Sequence, residues 1–305
     1  MNALSDKRFL FVVGKGGVGK TTVAAALGLA AARKGKKVLI AMVNTKERLS
    51  GLLGVPPIDH NIREVAPGVD AVNMTPQASL EEYGMMILKV RALYSAIFEN
   101  KLVRAFLRGT PGIEAWTMLG KAYFHASGHG PGSAGEYDLV LLDAPATGHG
   151  LDMLRVPQAI VDVAPPGLLR REAERALELF RDEKRAGALL VTLAEDMPTN
   201  ETIELEAAIR ELGMSSAGLV INQVLPKLFN AETSAQILKL ADEVAKDDVI
   251  ATLLDAGRIR AQREAVQTTS LKRLESLEMP KVRLPHLFAP EFTRDQIDSL
   301  SRAFD

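Results

Sequence analysis

The chain reads as an α/β protein, with a doubly wound, mostly parallel sheet of about seven to eight strands covered by helices on both faces. Three observations predict this. Short runs rich in Val, Ile, Leu and Phe alternate with helical stretches along the 305 residues, the order expected of strand–helix–strand units. Most of these runs are near-continuously apolar rather than alternating, as strands buried on both faces must be. A hydrophobic content of 47% in a chain this long fills one large core without requiring a second domain. The expected organisation is a single domain, 1–305, with a helical subdomain, 78–135 and 158–186, inserted around the loops that follow two of the strands.

The first strand is expected at 9–13, FLFVV. An alanine-rich helix follows at 22–34 and closes at Gly35, where a residue free to adopt the left-handed region makes a helix cap. Further strands are expected at 37–43, 69–74, 137–142, 188–193, 217–221 and 281–284. Pro56-Pro57, Pro67-Gly68, Pro111-Gly112 and Pro165-Pro166 punctuate the connections. Between the third and fourth strands, 80–107 reads as a helix that is apolar nearly all round, with Tyr83, Ile87, Val90, Tyr94 and Ile97 on one stripe. Two readings fit it: packing against the sheet and a partner subunit, or the wall of a greasy client groove in which methionine adapts to varied occupants. A second helix is expected at 168–183. His125 and His129 are four apart, a spacing that on a helix brings two ligands together. The Gly/Pro-rich 128–135 and the lack of a third ligand at suitable spacing favour a plain loop.

Between the first strand and the first helix stands Gly14-Lys15-Gly16-Gly17-Val18-Gly19-Lys20-Thr21-Thr22, which fits G-x-x-x-x-G-K-[ST]. Glycines at this junction let successive N–H groups point at phosphate oxygens, and the helix that follows offers its positive end. The expected ligand is therefore a nucleotide, with Lys20 against the β- and γ-phosphates, Thr21 as a ligand of Mg²⁺ and Thr22 on further phosphate oxygens. The strand at 137–142 runs into Asp143-Ala144-Pro145-Ala146-Thr147-Gly148-His149-Gly150. An aspartate so placed holds Mg²⁺ through water, and the proline and glycines let the loop respond to the γ-phosphate.

Composition narrows the field. The formal net charge is -1 and no basic stripe is present, so nucleic-acid binding has no electrostatic support. The absence of cysteine removes disulfides, thiolate metal sites, iron–sulfur ligation and thiol nucleophiles. The amino end carries no signal-like apolar run and nothing reaches the roughly 18 apolar residues of a spanning helix. A soluble, cytoplasmic chain without stable membrane insertion is the expectation.

Lys15 and the run KGGVGKT resemble the deviant phosphate-loop class of the ParA, MinD, nitrogenase iron protein and ArsA groups. In those relatives the signature lysine reaches across a dimer interface to the partner's nucleotide. Asp143 to Gly150 resembles the D-T-A-P-T-G-H motif of the ArsA family, which includes the arsenite-pump ATPase and the guided-entry ATPase of tail-anchored membrane proteins. Pro111-Gly112-Ile113-Glu114-Ala115 and Leu151-Asp152-Met153-Leu154-Arg155-Val156-Pro157 are similar to two further segments of that family. Ile221-Asn222-Gln223 is similar to its V-N-Q motif, which implies Asn222 at the adenine. Leu284-Pro285-His286-Leu287 is similar to its L-P-x-L element, which implies Pro285 and Leu287 on the other side of the base. The resemblance thus runs from residue 9 to about 292 and implies a P-loop ATPase using ATP/ADP and Mg²⁺. It implies a homodimer, or a heterodimer with a paralogue, and a hydrophobic or tail-anchored client, with Asn44, Thr147, Gly148 and His149 in the switches.

Two departures qualify it. Where the family's first switch reads D-P-A-H-S, this chain has Asn44-Thr45-Lys46-Glu47-Arg48. Asn44 hydrogen-bonds a water but cannot take its proton, so slow hydrolysis is expected unless Glu47 substitutes or a complete paralogue supplies the activity. The second departure is the lack of cysteine, which removes the thiolates of the arsenite pumps and the zinc clip of the eukaryotic guided-entry ATPases.

Overall fold

The computed structural model describes residues 4, 6–43, 46–88, 112–127, 136–145, 147–243 and 250–305. The chain runs β1 (Phe9–Val13), α1 (Lys20–Arg33), β2 (Val38–Val43), α2 (Leu49–Leu53), β3 (Arg63–Ala66), β4 (Val69–Met74) and α3 (Pro76–Leu88). It continues with α4 (Ile113–Ser127), β5 (Leu139–Asp143), α5 (Thr147–Val163), α6 (Leu168–Arg181), β6 (Ala186–Leu193) and α7 (Asp196–Glu211). The last described elements are β7 (Ser216–Val224), α8 (Ala231–Glu243), α9 (Ala251–Glu275), β8 (Lys281–Pro285), α10 (Arg294–Ser301) and a 3-10 turn, Arg302–Phe304.

Among the described residues, eight strands form one sheet in the order β3-β4-β2-β5-β1-β6-β7-β8. All neighbours are parallel except β3, which pairs antiparallel with β4. β3 has no counterpart among the strands expected from sequence. It is a four-residue edge strand, REVA, with an intermediate-to-exposed first half, so it carries too little apolar signal to stand out. Pro67-Gly68 is the turn of that hairpin, with Gly68 at φ 76°. Other boundaries shift by one to three residues. β6 begins at Ala186 and β7 runs to Val224, which places Asn222 and Gln223 inside the strand rather than after it.

All five residues of β1 are buried, yet the pleat sends them to two different cores. Phe9, Phe11 and Val13 join α4, α5, α6, α7 and the end of α9 on one face. Leu10 and Val12 join α1, α2 and α10 on the other. The first core centres on Phe180 of α6, whose ring lies 5.2 Å from Phe9 and 4.9 Å from Phe11, edge-on to the latter. Fully burying such a ring contributes about 1.5–3 kcal/mol. On the second face Val23 through Ala31 of α1 are buried without a break. Small side chains there let the helix axis approach the sheet, and a Cβ at Gly28 would already press on Ile40 at 3.1 Å. α1 stops where expected, with Gly35 at φ 81° and its N–H on the Ala32 carbonyl at 2.9 Å.

The apolar segment 80–107 is described as far as residue 88, the end of α3. Tyr83 of that helix is buried and stacks edge-on against Trp116 at 6.1 Å, a core role for the first part of the stripe. The rest, 89–107, and Pro111 lie outside the described residues. His125 is buried at the end of α4 with Nδ1 3.3 Å from a Glu136 carboxylate oxygen, while His129 lies outside the described residues. Among the described residues no group of three His, Cys, Asp or Glu is arranged to hold a metal ion, and no helix is long and apolar enough to cross a membrane.

Candidate functional site

A parallel sheet delivers the ends of its strands to one edge, and the point where the order reverses about β1 leaves a crevice there. β1 lies between β5 and β6. Gly14 to Gly19 cross that crevice at the carboxyl end of β1 and lead into α1. Three loop glycines have the left-handed φ values that glycine tolerates: 153° at Gly14, 88° at Gly17 and 92° at Gly19. Two also face steric walls. A Cβ on Gly14 would lie 2.2 Å from the Val191 carbonyl oxygen, and one on Gly19 would lie 2.3 Å from Asn222 Nδ2. Gly16 and Gly17 are exposed, leaving the loop's middle open to a ligand. Val18 is buried and anchors the loop from below.

Inside the loop the Lys20 ammonium donates to the Gly14 carbonyl at 3.0 Å and the Lys15 carbonyl at 3.1 Å. Burial pulls its pKa down, opposed by the charge of Asp143. Thr21 Oγ1 donates to Asp143 Oδ2 at 2.5 Å. Asp143 is the last residue of β5, opposite Val12 of β1, and is 3% exposed. Burial pushes its carboxyl up to about 6, with the Thr21 hydrogen bond and the Lys20 charge pulling the other way. The strand pairing therefore places a buried carboxylate, a hydroxyl and an ammonium at one point without any help from local sequence.

Asn222 arrives from β7 and is 4% exposed. Its Nδ2 donates to the Val18 carbonyl at 2.9 Å and its Oδ1 accepts from the Gln223 N–H at 2.9 Å. Gln223 takes a left-handed φ of 54°. The Asn222 side chain thus braces the loop, a job its motif resemblance does not imply. It also lines a cavity of about 290 Å³ together with Thr22, Pro285, His286, Leu287 and Phe292. Asn222, Pro285 and Leu287, expected together, are brought together by β7 and β8, and Thr22, expected at the phosphates, stands on this side of the loop as well. His286 and Phe292 were not singled out in the sequence, where nothing distinguishes them from ordinary loop residues.

The remaining expected positions are distributed unevenly. Asn44 lies outside the described residues. Glu47 does not point to a water-handling role, since its carboxylate accepts from the Ser50 N–H at 2.7 Å and the Ser50 hydroxyl at 2.6 Å, capping the start of α2. Thr147, Gly148 and His149 fall in the first turn of α5 rather than in an extended loop. Gly150 is packed tightly in that turn, where a Cβ would come 2.9 Å from the Pro145 carbonyl oxygen. Lys15 does not face the cradle: its Nζ pairs with Glu201 Oε1 of α7 at 2.6 Å. Glu201 was missed because it is one of several acidic residues on an amphipathic helix, with no local mark of its partner.

A family profile described as "Anion-transporting ATPase" matches residues 7–164, just over half of the chain. ATPase BagA of Mycobacterium tuberculosis is 28% identical over 307 residues, covering 92% of this chain and 88% of that protein. The arsenical pump-driving ATPase of Escherichia coli is 26% identical over 235 residues, covering 72% of this chain and 40% of that protein. That of Acidiphilium multivorum is 26% identical over 263 residues, covering 80% and 44%. A glycine cradle, a lysine and a strand-end aspartate meeting at the switch point, and a profile match from β1 through α5, place the chain in the anion-transporting ATPase family as a nucleotide-dependent ATPase.

Proposed function

We propose that the chain binds Mg²⁺-ATP between the Gly14–Thr22 loop and the Asn222–Pro285–Leu287 cavity, and that the bound triphosphate closes two subunits whose separation follows hydrolysis or exchange. The observation that carries this is the meeting of Thr21 Oγ1 and Asp143 Oδ2 at 2.5 Å beside Lys20. Two hard oxygen donors suit Mg²⁺, which keeps several waters and takes few protein ligands. Thr21 and Asp143 would hold the ion, and when bound it neutralises charge on the β- and γ-phosphate oxygens. The chain's own residues do the rest. Exposed N–H groups of Gly16 and Gly17 receive phosphate oxygens, and Lys20 exchanges its two carbonyl partners for them. The apolar edges of Pro285 and Leu287 take the base. Fixed in place by the loop, these donors stabilise charge that spreads over the γ-oxygens.

Asn44 replaces the residue expected to orient the attacking water, so turnover is slow and the switch spends long in its closed state. The output is control of a hydrophobic client or a partner protein. The same asparagine supports a second reading, a weakly active subunit paired with a complete paralogue. Arsenite cargo is not carried over from the pump-driving relatives, since no thiolate exists here. Titration calorimetry of Mg²⁺-ATP into the wild type and Lys20→Ala tests the proposal. Binding that falls by roughly a hundred-fold or more in the variant supports it, and equal binding refutes it. Turnover of Asn44→Asp above the wild type separates an impaired water-orienting position from an irrelevant one.

A further inference from the structure

The loop carries two ammonium groups with different fates. Lys20 turns inward onto loop carbonyls. Lys15 turns outward, and its Nζ lies 2.6 Å from Glu201 Oε1, with side chains 29% and 31% exposed. Glu201 is 186 positions away in the chain. It comes alongside because α7 follows β6, the strand next to β1. α7 is held there by its buried face, with Thr199, Thr202, Leu205 and Ile209 packed inward, and by the Asn200 amide oxygen, which accepts from the Arg273 guanidinium of α9. Glu201 therefore sits on a rigid element at the rim of the nucleotide crevice, not on a loop that follows Lys15.

We infer that Glu201 is a positioning residue that holds the Lys15 ammonium in cis, and that this contact must open before Lys15 serves a triphosphate bound to a second copy of the chain. The inference rests on the dimeric switch proposed above and names what regulates it. A lysine ammonium is a compact point charge on a flexible stem. It cannot sit 2.6 Å from one subunit's carboxylate and also reach across to the phosphates of the other. Exposed ion pairs shift equilibria by a factor of roughly two to five. That is too little to lock the lysine against a multiply charged triphosphate, and enough to set how much nucleotide is needed before two subunits close. In a symmetric dimer both contacts open together, so a threefold effect per subunit becomes about tenfold in the dimerisation constant.

Sedimentation of the full chain with Mg²⁺ and a non-hydrolysable ATP analogue tests this in the wild type, Glu201→Gln, Glu201→Asp, Lys15→Ala and the Lys15→Ala/Glu201→Gln double variant. Glu201→Gln is expected to dimerise about tenfold more tightly, with a gain that shrinks in high salt as screening weakens the wild-type contact. Glu201→Asp should return toward the wild type, and the glutamine substitution should have no effect once Lys15 is alanine. A merely structural glutamate gives the opposite sign, lower melting temperature and weaker dimers. Dimers that form in the wild type with the same nucleotide requirement in Glu201→Gln, or a weaker association in that variant, overturn the latch and leave the switch standing. If wild type and Glu201→Gln both stay monomeric at saturating analogue, the switch reading falls, and the latch with it.

Discussion

Gly19→Ala isolates the interaction that joins the phosphate loop to β7. The backbone at Gly19 has φ 92°, and an L-residue forced into the left-handed region costs about 1–2 kcal/mol. Its new Cβ would stand 2.3 Å from Asn222 Nδ2, so the amide must leave the Val18 carbonyl it now meets at 2.9 Å. Unsatisfying a buried amide adds about 1–3 kcal/mol, for a total near 3 kcal/mol. With an unfolding entropy of about 2.1 cal/mol/K per residue over this chain, that is a fall of about 5 °C in melting temperature. Gly17→Ala is the internal control, because Gly17 has nearly the same φ of 88° but open space where the Cβ would go. It should lose only the conformational part, about 2–3 °C. Differential scanning calorimetry of both, and of Gly19→Ala combined with Asn222→Ala, gives the coupling directly. Removing the Asn222 amide should reduce the cost of Gly19→Ala to that of Gly17→Ala. Equal costs for the two glycines, or a Gly19→Ala penalty unaffected by Asn222→Ala, would refute the steric argument and the bracing role of Asn222.

Two more predictions follow from packing and charge. Asp143 titrates at about 6 in the fold against an ordinary 3.8, so the folded state binds the proton more tightly than the unfolded one. Stability from this group is present below pH 3.8 and is lost as pH rises to 6, a cost approaching about 3 kcal/mol at pH 7.5. Asp143→Asn should therefore melt higher than the wild type at pH 7.5 without Mg²⁺, with the gap roughly halved at pH 5; a pH-independent gap measured by urea denaturation would contradict the assignment. Gly120→Ala drives a Cβ to 2.6 Å from the Tyr83 ring and should cost about 1–3 kcal/mol by overpacking, read as a lower urea midpoint at unchanged slope; no change would mean that α3 and α4 pack more loosely than their contact distances indicate.

The fold class was legible because most strands of a parallel sheet write themselves as unbroken apolar runs; seven of the eight described strands were located, although β4 (VDAVNM) and β8 (KVRLP) are interrupted by polar residues. β3 escaped because an edge strand of four residues buries only one side. The cradle was legible because glycine spacing, Lys20 and Thr21 lie within one continuous segment, where local backbone freedom and charge decide the chemistry. Asp143 was legible by its position after an apolar strand, but its perturbed titration was not, since burial belongs to the whole sheet. The bracing of Val18 by Asn222, the capping role of Glu47 and the pairing of Lys15 with Glu201 depend on which strands and helices become neighbours. The ligand chemistry of the amino-terminal loop needs only adjacent residues, so it could be read along the chain. Where each charge of the loop is held when no phosphate competes for it was settled by the fold, because those partners lie as many as 186 positions apart and meet only through the strand order.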